Sequence, residues 1–509
     1  MSVPSLLAPP GFPLPTEEAA EPAYFGDLNL DQLIAAVTAG RRAYRLQPVF
    51  YTPLHDPVAV QWRQRVARDM EHPAVLAAVG AFSEAMGQVH RYLRMLADLD
   101  YHFHKAGWFL EAVRRYIQAA QALAEALQAA PLRSEGLRAF RDYLGSYLAS
   151  APFRQLAAET ESVSRALAAV RYCVHIMGDS VRVRPCENEP DHAAEVERTF
   201  ARFRRGEVKD YRVPVYVRSG MNHIEGQILD CVVRLFPQPF AQLDAYWQRH
   251  TDFVDAGLEA FAQEAQFFIA YLETIAPLRD AGLPFCYPEI VTDREIAAEE
   301  MYDLVLALKL VASDQPVVRN DFALHGEERI FVVTGPNQGG KTTFARAFGQ
   351  IHYLAALGLP VPARRARLFL PDRIFTHFER QEDVRHARSK LEDDLLRLKA
   401  ILDAATADSL LVMNEIFAST AFEDALFLGR EVLQRIVATG AVAVFVTFLS
   451  ELAALGPQVV SLVGQVDPQN PAVRTYRIVR QPANGLAYAL ALAEKHGLTP
   501  QQLERRLPR

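Results

Sequence analysis

Residues 335–342 read Gly-Pro-Asn-Gln-Gly-Gly-Lys-Thr and fill every fixed position of the pattern G-x-x-x-x-G-K-[ST]. Glycines at that spacing let the backbone curl so that successive N–H groups point inward at phosphate oxygens. A helix begun there adds the positive end of its dipole. Lys341 is placed to reach the β- and γ-phosphates and the Thr342 hydroxyl to ligate Mg²⁺. The plain alternative, a chance glycine-rich turn, is set aside because an apolar strand-like run, Phe331-Val332-Val333-Thr334, leads directly into the loop. The cofactors implied are a nucleoside triphosphate and Mg²⁺. The binding residues are Gly335, Pro336, Asn337, Gln338, Gly339, Gly340, Lys341, Thr342 and Thr343.

Hydrolysis would also need a carboxylate near the loop to hold Mg²⁺ or orient water. The apolar run Leu410-Leu411-Val412-Met413 ends in Asn414-Glu415. A strand ending in an acid supplies such a group, so Glu415 is the candidate for orienting or deprotonating the attacking water. Its alternative role is a helix-capping or salt-bridging glutamate.

These residues need a scaffold, and the chain downstream of the loop offers one. Residues 368–378 read as a strand, 389–404 as a charged helix, and 441–448 as a second buried-type strand. Strands alternating with helices imply a mainly parallel sheet with helices on both faces. Upstream, residues 1–26 are rich in Pro, Ala and Leu without periodicity and read as a loose lead-in. Leu28, Leu30, Leu33, Ile34 and Val37 follow helical spacing, with Gly40 as a stop. A second helix is expected after Asp56-Pro57, as cap and first-turn residue. Residues 80–170 read as three or four long helices punctuated near Gly107, Pro131 and Pro152. His102 and His104 do not share a helix face and read as packing residues. Tyr172–Met177 and the VRVRP run after Gly178-Asp179-Ser180 read as a β-hairpin. Helical text resumes over 239–278 and again over 293–312.

With 509 residues and half of them apolar, the chain is long enough for several domains with large cores. A net charge of −7 excludes a protein basic over its whole surface, though not a local basic patch. Arg198, Arg202 and Arg205 share a helix face suited to phosphates, with Arg204, Lys209 and Arg212 nearby. Glu195, Glu197 and Glu207 dilute them, which favours a solvated face. The four cysteines lie far apart without a C-x-x-C pair, so neither a zinc site nor a disulfide framework is expected. The first residues do not show a charged stretch followed by an apolar one, no run of about 18 apolar residues appears, and a reducing, cytoplasmic setting without membrane contact is the expectation.

Together these residues resemble the ATPase domain of the MutS mismatch-repair proteins, within the ABC-like P-loop ATPases. The family reads TGPNMGGKST, against TGPNQGGKTT here, with Gln338 in place of Met. The family's DRIFT stands intact at 372–376, and Ala387-Arg388-Ser389 sits where the family has G-R-S. The family's D-E-I-G-R-G-T-S-x-x-D resembles residues 414–424. Its T-H-x-x-x-E-L resembles Thr447-Phe448-Leu449-Ser450-Glu451-Leu452. Residues 316–321 resemble the segment lining the adenine, which adds Val317 and Asn320 to the binding set. The resemblance is strong over 315–509 and weaker over the first half, where DLNLDQL and the following YTPLHDPVAVQWRQ resemble the opening of the family's core region.

The fold implied is an α/β P-loop, ABC-like ATPase domain over 291–509. A mainly α-helical core and lever region over 27–290 would precede it, carrying a small β-rich insertion at about 172–235. The family's mismatch-recognition and connector domains find no counterpart, because the core-like text begins by about residue 27. The resemblance further implies a homodimer closed around two ATPs and clamped on DNA, with Ser389 completing the partner's site in trans. Catalytic roles fall to Glu415, Lys341 and Ser389, and the metal position to Thr342 and Asn414. Two departures bear on turnover. Asn414 replaces the family's Mg²⁺-supporting Asp, and Phe448 replaces the histidine that contacts the γ-phosphate. Binding should survive while hydrolysis slows, since loss of one polar group aimed at the transition state costs roughly 10²–10³ in rate. DNA held without mismatch readout is the expectation. A nucleotide switch acting on protein partners, or a scaffold binding nucleotide only structurally, are the alternatives.

Overall fold

A computed structural model describes residues 3–14, 18–178, 180–186, 220–379, 390–417, 420–467, 469–470 and 473–483. The chain forms two compact units. The first comprises residues 1–4, 74–131 and 139–262, and the second residues 5–73, 132–138 and 263–509.

The first unit is built from helices. His102–Ala129 is the longest, and it runs through Gly107 without the break expected there. A mid-helix glycine costs roughly 1 kcal/mol relative to alanine. Burial of Ala106, Phe109, Leu110, Val113, Tyr116 and Ile117 on one face outweighs that cost. Phe140 and Phe261 stack with ring centroids 3.6 Å apart and planes 6° from parallel. Among the unit's tyrosines, Tyr143 Oη donates to Asp255 at 2.8 Å, and Tyr116 and Tyr147 share a 2.9 Å bond. The expected hairpin is present as β1 (Tyr172–Met177) and β2 (Ser180–Pro185), antiparallel with Val174 opposite Val183. Cys173 and Cys186 are joined by a disulfide, contrary to the expectation of four separate thiols. The pairing register explains it, because Tyr172 lies opposite Pro185 and so brings the flanking cysteines together across the hairpin's base. Residues 198–212, with their arginines, lie outside the described residues.

The second unit carries the P-loop sequence on a six-stranded sheet. In the chain come β3 (Glu289–Val291), β4 (Ala297–Met301), β5 (Asn320–Ala323), β6 (Ile330–Thr334), β7 (Arg365–Phe369), β8 (Ile374–Phe378), β9 (Leu410–Asn414), β10 (Val442–Val446), β11 (Val459–Val466) and β12 (Arg474–Arg480). The large sheet has the order β12-β11-β6-β10-β9-β8 and is parallel except for β12, which runs antiparallel to β11. Every residue of β6, β9 and β10 is buried. That is why they read as unbroken Val, Ile, Leu and Phe runs rather than alternating ones. A smaller sheet has the order β3-β7-β4-β5.

Three expectations need correction here. Residues 293–312 are not one helix: β4 precedes a helix of nine residues, Leu304–Ala312, capped by Asp303 through Leu306 N. Pairing of β4 with both β5 and β7 competes successfully with helix formation over 297–301. Residues 368–378 are not one strand either, since Pro371 separates β7 and β8, which belong to different sheets. The lead-in is not loose throughout, because Leu6, Leu7 and Ala8 are buried and Leu6 N donates to the Glu264 carboxylate at 2.6 Å. Below them Arg63, fully buried, donates from Nε to the Leu7 carbonyl at 2.7 Å. The helix after Asp56 forms as expected, Pro57–Met70, with the Asp56 carboxylate accepting from Val58 N.

Candidate nucleotide-binding site

The cleft opens at the carboxyl ends of the adjacent parallel strands of the large sheet, where β6 leads into the loop and β9 into Glu415, the place where open α/β sheets take ligands. β6 hands the chain to Gly335, whose φ is +125°. A Cβ at Gly335 would stand 2.8 Å from Gly464 N of β11, so only glycine fits. Gly340, at φ +90°, caps the helix Lys341–Ala356 by placing its carbonyl on Phe344 N at 2.9 Å. Gln338 holds a left-handed φ of +60° without being glycine, at a cost of about 1 kcal/mol or more.

The Lys341 side chain is buried and curls back over the loop, donating to the carbonyls of Gly335 at 3.1 Å and Pro336 at 3.2 Å. Its Nζ lies 3.8 Å from Glu415 Oε1. Burial pulls the Lys341 pKa below the ordinary lysine value, and the Glu415 carboxylate opposes that shift. Thr342 Oγ1 donates to Asn414 Oδ1 at 2.9 Å, joining the two residues assigned to the metal position. Both offer hard oxygen, the donor type Mg²⁺ accepts alongside phosphate and water. Among the described residues no cluster of three His, Cys, Asp or Glu side chains forms. Glu415 follows β9 at φ +52°, with its N–H bound to Val446 O at 2.9 Å.

The cleft measures about 550 Å³ and is lined by the loop residues Gln338 to Thr343, by Glu415, and by residues from elsewhere in the unit. Leu306, Leu310, Val317 and Val318 give it an apolar wall. Asn320 also lines it, but its amide is engaged with β12, donating to Tyr476 O at 3.2 Å and accepting from Ile478 N at 2.7 Å. Several lining residues were not read from the sequence, among them Asp303 and Tyr476. Asp303 is buried at the cleft, where burial raises its pKa although Leu306 N and the Gln350 amide bind it. Tyr476, half-exposed on β12 at φ +58°, lines the cleft, with its backbone and Cβ beside Gly340. A single tyrosine in a strand with an arginine at every third position carries no motif that would mark it. Phe448 is exposed after β10 and does not line the cleft. Ser389 lies outside the described residues.

The strand–loop–helix over a parallel sheet defines the class as a P-loop domain. Residues 331–506 match the family model described as MutS domain V. The chain is similar to the DNA mismatch repair protein MutS of Chlorobium phaeovibrioides, 29% identical over 48% of this chain and 29% of that protein. It is similar to the same-named protein of Chloroflexus aurantiacus, 27% identical over 57% of this chain and 30% of that one. It is also similar to endonuclease MutS2 of Thermus thermophilus, 31% identical over 40% of this chain and 28% of the relative. The likeness to MutS domain V is confined to residues 331–506, and the chain matches less than a third of the length of each of these relatives. Among the described residues no helix is long and apolar enough to cross a membrane.

Proposed function

We propose that the chain is an ATP-dependent DNA-binding protein of the MutS type, which pairs two ATPase domains around nucleotide and clamps DNA without reading mismatches. The observation that carries this reading is the meeting of Lys341, Thr342 and Glu415 at one cleft beside the glycine-rich loop, with Asn414 bonded to Thr342. Lys341 would turn from the Gly335 and Pro336 carbonyls to the β- and γ-phosphates. Thr342 and Asn414 would hold Mg²⁺, which when bound neutralises charge on the phosphate oxygens. Glu415 would orient the attacking water and accept its proton at a carboxylate oxygen. Hydrolysis would be slow, because Asn414 brings a dipole where a carboxylate would bring charge, and Phe448 has no polar atom to offer the γ-phosphate. Ser389 would act across the dimer, and the setting would be cytoplasmic.

Salt titration of DNA binding by the purified chain, with ATP and with ADP, tests the proposal. Binding that strengthens with ATP, accompanies dimerisation, and weakens steeply with salt supports the clamp. ATP-driven dimerisation with no DNA bound at low salt would instead assign a nucleotide switch acting on protein partners.

A further inference from the structure

β12 departs from regular pairing where it passes the P-loop. Gly464 of β11 pairs with Ile478, but Val466 pairs with Arg474, so one β11 residue, Gln465, faces three on β12, Thr475 to Arg477. Bulges of this kind re-aim side chains beside functional sites. This one is held from several sides: Thr475 Oγ1 donates to Gln465 O at 2.9 Å, Asn320 binds Tyr476 O and Ile478 N, and an Arg477 nitrogen donates to Arg319 O at 3.0 Å. Its consequence is that Arg474 donates from Nε to the carbonyl of Asn337, in the middle of the loop, at 3.3 Å.

The charges of the site give that contact a purpose. Lys341 stands 3.8 Å from Glu415, so the two largely cancel as seen by an incoming anion. The Arg474 guanidinium is held against the loop through the Asn337 carbonyl at 3.3 Å. It is a second cation on the same loop. On the nucleotide reading the loop would face a polyanion, and the residue after β10 at 448 is a phenylalanine, whose side chain adds no polar contact.

We propose that Arg474 is a nucleotide-site cation supplied in cis by the β12 bulge. It fixes the loop through the Asn337 carbonyl and directs positive charge at the terminal phosphate, so that the site prefers a nucleoside triphosphate to a diphosphate. This rests on the nucleotide reading above. The test is equilibrium binding of fluorescent ATP and ADP analogues with Mg²⁺ to the full chain. The variants are Arg474→Ala, Arg474→Gln and Arg474→Lys, with Lys341→Ala as a reference. Arg474→Gln keeps a donor without the charge, and Arg474→Lys keeps the charge.

The expected result is about tenfold weaker ATP binding in Arg474→Ala and Arg474→Gln, the size of one charged hydrogen bond, with ADP changed less than twofold. Arg474→Lys recovers most of the loss. Equal weakening of ATP and ADP, or an unchanged ratio, overturns the proposal and leaves Arg474 a strut of the loop. Wild-type protein that binds neither analogue better than Lys341→Ala fails at the earlier step, overturning the nucleotide reading itself.

Discussion

The two walls of the cleft are made in different ways. One wall, from Gly335 to Thr343, is contiguous in sequence and follows from β6 and the helix that begins at Lys341. The other takes Leu306 from a helix, Val317 from a loop before β5, and Tyr476 from an edge strand, residues up to 170 positions apart (476 − 306). The contiguous wall holds groups that act on any polyphosphate. The assembled wall is where selection among nucleotides would be made. Local chemistry is written in the pattern of one segment, whereas selectivity would depend on how distant segments are brought to it.

Breaking the contiguous wall should have the largest effect. Gly335→Ala drives a Cβ to 2.8 Å from Gly464 N and demands φ +125° of a residue that disfavours it. Binding of an ATP analogue should be abolished and stability should fall by roughly 3 kcal/mol, read by titration and by chemical denaturation. A melt indistinguishable from wild type would show that β11 yields easily.

The helix of that same wall should also impose a pH limit. His352 is fully buried among Phe322, Phe348 and Phe369, and burial lowers its pKa to about 4. An unfolded histidine titrates near 6.5, so the unfolded chain takes the proton first. Stability present above pH 6.5 is therefore lost as pH falls towards 4, by up to about 3 kcal/mol. His352→Phe should flatten the slope of stability against pH in that window. A slope unchanged in the variant would assign the loss to other groups.

On the assembled wall, Tyr476→Ala should weaken ATP and ADP alike, by about 1 kcal/mol, the worth of one aromatic stacking contact. That common loss would contrast with the triphosphate-specific loss expected at Arg474. A loss confined to ATP would place Tyr476 at the phosphates rather than at the base. Smallest of all, Cys173→Ser should leave nucleotide binding within about twofold of wild type, because the disulfide belongs to the first unit and the cleft lies wholly in the second. Its effect should appear as faster proteolysis of the 172–185 hairpin.

What the sequence made legible follows the same division. The P-loop, the acid ending β9 and the buried strands β6, β9 and β10 were readable because each is a local pattern whose burial is written in its own residues. The 293–312 stretch was misread because helix propensity cannot anticipate that β4 finds partners in β5 and β7. The lead-in was misread because Leu6 and Leu7 show their burial only once Glu264 and Arg63, distant in sequence, come to meet them. The Cys173–Cys186 bond was missed because hairpin register, not cysteine spacing alone, sets it. Tyr476 and Arg474 were missed for the plainest reason: a bulge is a property of two strands, and neither strand states it alone.

The most direct test of the central claim is steady-state phosphate release by the purified chain, with Lys341→Ala as control, alone and with homoduplex, mismatched and branched DNA. The account predicts slow release that rises with duplex or branched DNA, gains nothing further from a mismatch, and vanishes in Lys341→Ala. Release equal to that of Lys341→Ala under every condition would contradict it.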